Sequence, residues 1–210
     1  MIGIYGGTFD PVHFGHLRTA WEVAERLGLQ EVRMLPARQP PHRDPPVATP
    51  EQRREMLELA LSGQDRLRLD ETELRRDGPS WMVDTLAEFR ARLGAQVPLV
   101  LVLGEDAFLG LPRWREPERI LAQAHLAVMS RPGWTLPDSG RAAEWFRARR
   151  TDEVRDLQAS PGGRILPVEV TRLDISATRI RRLVAAGHQP RYLVPEAVRA
   201  YIEAQGLYSS

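Results

Sequence analysis

Gly6-Gly7-Thr8-Phe9-Asp10-Pro11-Val12-His13-Phe14-Gly15-His16-Leu17 is the stretch whose reading decides the fold. A short apolar run, Ile2 to Tyr5, leads into it and reads as a buried strand. An amphipathic pattern from about Phe14 to Leu27 leaves it and reads as a helix. Gly6 and Gly7 let the backbone turn tightly and leave room for a ligand to approach. Pro11 fixes its own φ and pushes Asp10 away from helical geometry, so Asp10-Pro11 sets a turn. His13 and His16 then fall in the first turn of the helix with Gly15 between them. Strand, glycine turn and helix start together collect anions, because free N–H groups and the positive dipole end point at one place. The two imidazoles add donors for phosphate oxygens. One isolated His would read as a surface residue; two in the same turn after Gly-Gly read as a site.

Outward from this stretch, strands and helices alternate. Gly28 is a natural C-cap, and Glu31 to Leu35 reads as a second strand. Pro36 to Pro50 is a stiff proline-rich loop containing Pro40-Pro41-His42-Arg43. Thr49, Pro50 and Gln52 are the N-cap, first position and capping-box partner of a helix. Leu67 and Leu69 alternate with polar residues in a third strand. Ser80 can cap a helix running to about Leu93 and ended by Gly94. Pro98 to Leu103 is continuously apolar, as a central parallel strand buried on both faces must be, and it stops at Gly104-Glu105-Asp106. Glu116 to Ala124 reads as a helix, His125 to Ser130 as a strand ending at Arg131, and Arg141 to Arg150 as a basic amphipathic helix with a solvated face. A last strand, Ile165 to Val170, precedes helices at Ser176–Ala186 and Pro195–Gln205. This alternation predicts an α/β fold: a Rossmann-like, doubly wound parallel sheet with a small C-terminal helical extension. Residues 1–210 are expected to form a single domain, with 134–162 as a peripheral insertion. Ligands bind such sheets beyond the strand C-termini, where the winding reverses.

Composition narrows the chemistry. Basic residues number 29 and acidic ones 28, so no charge imbalance points to nucleic acid or membrane. The absence of cysteine removes thiol catalysis, cysteine–zinc sites and disulfides. All the basic residues are arginine, so every fixed cationic contact must be a guanidinium. No apolar run approaches the ~20 residues of a membrane span, and no signal-peptide pattern precedes Met1-Ile2. The expectation is a soluble cytoplasmic protein, with the oligomeric state, a homo-oligomer included, left open. The P-loop pattern, the full dinucleotide glycine fingerprint and a nucleophile elbow are all missing.

Ser176 is well placed as a helix N-cap, yet the residue three positions on is Arg179 rather than Glu or Gln. With no carboxylate there, the helix start stays electropositive and reads as a second anion cradle. Two cradles on one sheet edge suit a nucleoside triphosphate. Phosphate attack on the α-phosphorus of such a triphosphate needs no general base, only positioning and charge stabilisation for the leaving pyrophosphate. In this reading His13 and His16 donate to α- and β-phosphate oxygens, while Arg179 and Ser176 bind the β- and γ-phosphates. Magnesium arrives on the triphosphate.

Gly7-x-Phe9-Asp10-Pro11-x-His13-x-Gly15-His16 resembles the signature of the H-x-G-H nucleotidyltransferases. Ile175-Ser176-Ala177-Thr178-Arg179-Ile180-Arg181 resembles their second motif, I-S-x-T-x-I-R. Among them the chain most resembles the bacterial nicotinate-nucleotide adenylyltransferases, from the first strand to the Gly-Leu-Tyr near the C-terminus. The resemblance implies adenylyl transfer from ATP to nicotinate mononucleotide, with His13, His16 and Arg179 catalytic. It implies an ATP site at Gly6, Gly7, Phe9, His16, Gly104, Asp106, Arg131, Ile175, Ser176 and Arg179. For nicotinate mononucleotide it implies Thr8, His42, Trp81, Thr85 and Trp114, with Trp114 stacked on the pyridine ring. The family often has Tyr-Thr where this chain has Trp81-Met82, which removes a hydroxyl at position 82. Two further readings stand beside this one: the same chemistry on another acceptor, such as nicotinamide mononucleotide or phosphopantetheine, and a nucleotide-binding regulator without turnover.

Overall fold

The structure, a computed structural model, describes residues 1–41, 44–130, 138–171 and 173–209. Strand β1 (Ile2–Gly7) runs into helix α1 (Phe14–Leu27), which returns to β2 (Glu31–Pro36). Helix α1 stops where Gly28 takes φ 60°, a left-handed conformation open to glycine, and its N–H reaches the Ala24 and Glu25 carbonyls. Helix α2 (Pro50–Leu61) begins on the capping box its sequence predicts. Gln52 N–H donates to Thr49 Oγ1 at 3.2 Å and Thr49 N–H to Gln52 Oε1 at 2.9 Å. Then follow β3 (Leu67–Leu69), the short α3 (Thr72–Arg75) and α4 (Met82–Leu93).

The second half comprises β4 (Leu99–Gly104), α5 (Glu105–Gly110), a 3-10 turn (Leu111–Arg113), α6 (Pro117–Gln123) and β5 (His125–Ser130). Next come α7 (Arg141–Arg149), α8 (Val154–Gln158) and β6 (Ile165–Glu169). Helices α9 (Ala177–Ala185) and α10 (Glu196–Ala204) form the C-terminal extension. The sequence did not reveal α3, α5 or α8, which are too short for a helical period to show.

Among the described residues, six strands form one parallel sheet in the order β3-β2-β1-β4-β5-β6. The central β1 pairs with β2 on one side and β4 on the other, so the winding reverses there. Along β4 the side chains alternate between two cores. Leu99, Leu101 and Leu103 pack with α4, α5, α6 and α7, whereas Val100 and Val102 pack with α1, α2, α9 and α10. Trp145 and Phe146 of α7 are buried, Phe146 edge-on to Phe108 at 6.0 Å, so this part of 134–162 builds core while most of its arginines face solvent. No helix among the described residues is long and apolar enough to cross a membrane.

Candidate active site

A cleft of about 1480 Å³ opens over the C-terminal ends of β1 and β4. The H-x-G-H turn forms one wall. His13 is the extended N-cap of α1, and its ring stacks on that of His16 with centroids 3.7 Å apart and planes 25° apart. Behind His16 the buried Phe9 ring stands edge-on at 5.0 Å. Two glycines are required by these rings. A Cβ on Gly7 would lie 2.8 Å from Phe9, and one on Gly15 would lie 2.9 Å from His13 Nδ1. Burial pushes the His13 pKa down to about 4, so the imidazole is neutral near pH 7 and donates from one nitrogen. Its Nδ1 is buried with no hydrogen-bond partner among the described residues. At the helix start, Phe14 N–H donates to the Leu193 carbonyl at 3.0 Å. The Gly15 N–H has no acceptor within the helix.

The start of α9 is the second wall. Ser176 caps it, its Oγ accepting the Arg179 N–H at 3.2 Å, and the first turn carries no acidic residue. Ala177 and Thr178 keep N–H groups with no acceptor inside the helix. Ile175, Ser176, Ala177, Thr178 and Arg181 line the cleft; Arg179 does not. The Arg179 side chain is 64% exposed and lies 3.9 Å from the Asp174 carboxylate. Residue 181 follows 177 by four and 178 by three and so shares the face of those two lining residues. The cation beside this cradle is Arg181. Its Nη1 donates to the Asp10 carbonyl at 2.7 Å.

The cleft also has an aromatic arm containing Trp81, Met82 and Trp114, and Thr8 is part of the lining. The Arg115 guanidinium lies 5.8 Å over the Trp81 ring and 3.7 Å from Asp84. Met82 packs against the turn so closely that a Cβ on Gly6 would meet its Cε at 3.0 Å. Two expectations change here. Ser80 does not cap α4: Trp81 is the N-cap, and its side chain makes no cap hydrogen bond. Ser80 Oγ instead accepts N–H groups of Arg38 at 3.0 Å and Gln39 at 3.4 Å, tying α4 to the loop after β2. Thr85 is fully buried behind the helix start and outside the cleft lining. Its hydroxyl donates to Glu73 Oε1 at 2.8 Å, because a buried hydroxyl one turn into α4 meets that carboxyl and not solvent. The α4 amides without an intrahelical acceptor are those of Met82 and Val83. Burial pushes the Glu73 pKa up.

Gly104 and Asp106 line the cleft where β4 gives way to α5, and Gly6, Gly7 and Phe9 line it after β1. His42 and Arg131 lie outside the described residues.

Sequence reasoning missed two residues that shape this site. Asp10, read only as a turn residue, is a buried junction: its carboxylate accepts N–H groups of Val47 at 2.8 Å and Ala48 at 3.2 Å. Arg53 in α2 is fully buried and donates to four backbone carbonyls. Nη1 reaches Thr8 at 2.8 Å and Ala37 at 2.7 Å, while Nη2 reaches Arg38 and Nε reaches Ala48, both at 3.3 Å. It pins the ends of β1 and β2 to the proline-rich loop. Arg53 carries no local pattern, since its partners are distant in sequence; Asp10 and Arg181 stand inside the two motifs, but sequence reasoning gives them no role in the site.

Residues 4–183 match the pattern of the family described as cytidylyltransferase-like. The chain belongs to this family. It is 48% identical, over all 210 residues and the whole of the relative, to a probable nicotinate-nucleotide adenylyltransferase of Methylococcus capsulatus. A protein of the same description from Halorhodospira halophila is 50% identical over 99% of this chain and 94% of its own. In structure the chain is similar to the Plasmodium falciparum nicotinic acid mononucleotide adenylyltransferase complexed with NaAD. That likeness has a TM-score of 0.74 at 15% identity and covers 99% of this chain and 96% of the other, which establishes the shared fold.

Proposed function

We propose that this chain transfers the adenylyl group of ATP to nicotinate mononucleotide, giving the deamido dinucleotide and pyrophosphate, the reaction for which the relatives it is similar to are named. The observation that carries the reading is two electropositive helix starts, α1 and α9, facing one cleft whose other arm is aromatic. A triphosphate spans the first pair and a pyridine ring suits the second.

The acceptor phosphate is already an anion, so it attacks the α-phosphorus without a base, and the bond to pyrophosphate breaks as the new one forms. His13 and His16 donate to the α- and β-phosphate oxygens. Because His13 is neutral near pH 7, it acts as a hydrogen-bond donor, and Arg181 supplies fixed positive charge for the leaving group. Ser176 and the Ala177 and Thr178 amides hold the terminal phosphates. Magnesium would come with ATP, held through the triphosphate itself, since this ion commonly binds through substrate phosphates. Gly104 and Asp106 meet the adenosine. Trp114 stacks on the pyridine, and the Met82 and Val83 amides at the positive end of α4 take the nicotinate carboxylate. Since ATP and pyridine mononucleotides are cytoplasmic metabolites, the enzyme works in the cytoplasm.

The test is pyrophosphate release with nicotinate against nicotinamide mononucleotide. A carboxamide turns its NH₂ against an amide donor and leaves that donor unpaired, at a cost of roughly 1–3 kcal/mol. The expected preference in kcat/KM is therefore on the order of 10- to 100-fold for nicotinate. Equal efficiency on both acceptors overturns the carboxylate site, and absence of turnover on either overturns the reaction.

A further inference from the structure

The end of the chain reaches back to its first loop. Tyr208 is buried with φ 64°, and its hydroxyl donates to Asp10 Oδ1 at 2.7 Å. The other carboxylate oxygen, Oδ2, accepts the Val47 N–H at 2.8 Å and lies 3.8 Å from Arg181 Nη1. That same Nη1 donates to the Asp10 main-chain carbonyl at 2.7 Å. One aspartate thus joins the turn that leads to His13, the loop after the prolines, the cleft-lining cation of α9 and the C-terminal tail.

The ring and the hydroxyl of Tyr208 do different things. The ring packs in the core beneath α1, α2 and α10, where a phenylalanine would fill the same space. The hydroxyl adds only the bond to Asp10. We propose that Tyr208 is a positioning residue for adenylyl transfer. Its hydroxyl, making the shorter of two bonds to Asp10 Oδ1 beside the Ala48 N–H at 3.2 Å, fixes that oxygen, which turns Oδ2 toward Arg181 and sets the direction of that guanidinium in the cleft. Burial and the adjacent Asp10 push the Tyr208 pKa up, so the phenol remains a donor throughout the working range. The inference rests on the assignment of Arg181 to the triphosphate.

A double-mutant cycle of Tyr208→Phe and Arg181→Lys, read in kcat/KM for ATP, tests it. Tyr208→Phe keeps the ring, so the melting temperature should fall by no more than about 4 °C, while kcat/KM for ATP falls about fivefold. In the Arg181→Lys background the same change should cost less than about twofold, because the guanidinium it orients is gone. A loss of the same size in both backgrounds overturns the inference, as does wild-type kinetics for Tyr208→Phe. Wild-type ATP kinetics for Arg181→Lys alone overturns the Arg181 assignment and this inference with it. Asp10→Asn, run through the same cycle, carries the same expectation, so an unstable Tyr208→Phe protein does not end the test.

Discussion

Gly15→Ala separates geometry from stability at the H-x-G-H turn. The added methyl would sit 2.9 Å from His13 Nδ1 and 3.0 Å from Cε1. The ring must retreat by about 0.5 Å to reach ordinary contact near 3.4 Å. The backbone need not shift for the methyl itself, since the nearest main-chain atom to it, the Ile175 carbonyl oxygen, stands 3.5 Å away. The imidazole gives way, and with it the stack on His16 at 3.7 Å. A misplacement of about 1 Å at a reacting group can cost on the order of 10²-fold, so half of that should lower kcat by roughly tenfold or more. Stability should move the other way or stay level. Position 15 lies in the first turn of α1, and alanine favours helix over glycine by up to about 1 kcal/mol. The assay is steady-state pyrophosphate release at saturating ATP and nicotinate mononucleotide, beside urea unfolding of the same protein. A kcat within twofold of wild type refutes the reasoning. So does a rate loss that tracks a loss of folded protein.

Three further outcomes follow from particular contacts. Arg181→Lys should raise the KM for ATP about tenfold with the acceptor KM near wild type, since an ammonium cannot replace a planar fork; Arg179→Lys should leave both within twofold, and the reverse pattern in steady-state kinetics returns the triphosphate to Arg179. His13 falls from its ordinary 6.5 to about 4 on folding. The unfolded chain therefore binds the extra proton between those values, and the stability His13 contributes is complete above pH 6.5 and lost as pH drops toward 4, up to about 3 kcal/mol. Urea midpoints at pH 7 and 4.5 should converge in His13→Asn, and equal pH slopes for both proteins contradict this. Arg53→Leu leaves four carbonyls of Thr8, Ala37, Arg38 and Ala48 without their donor and should destabilise by roughly 3–5 kcal/mol in urea unfolding, whereas a change below 1 kcal/mol means those carbonyls find other partners.

The sequence by itself determined the parts governed by neighbours along the chain. The strand–turn–helix of residues 2–27, the Thr49 capping box, the Ser176 cap and the unbroken apolar β4 all depend on interactions a few residues apart, and each is found where its pattern lies. Paired histidines and a cap without a carboxylate pointed to phosphate for the same reason. What crosses the fold had to wait for the tertiary structure. Strand order placed β4 beside β1 and so located the cleft, because pairing between distant strands leaves no local signal. Thr85, one turn inside its helix, turns its hydroxyl to buried Glu73 and lies outside the cleft lining, and only packing between α3 and α4 decides that. Asp10 is the sharpest case. Its partners are Val47, Ala48, Arg181 and Tyr208, the last separated from it by 198 residues. A carboxylate in an Asp-Pro turn looks like turn chemistry until the chain folds and burial obliges it to find donors. Those donors come from wherever the fold brings them, which no reading of the local sequence can supply.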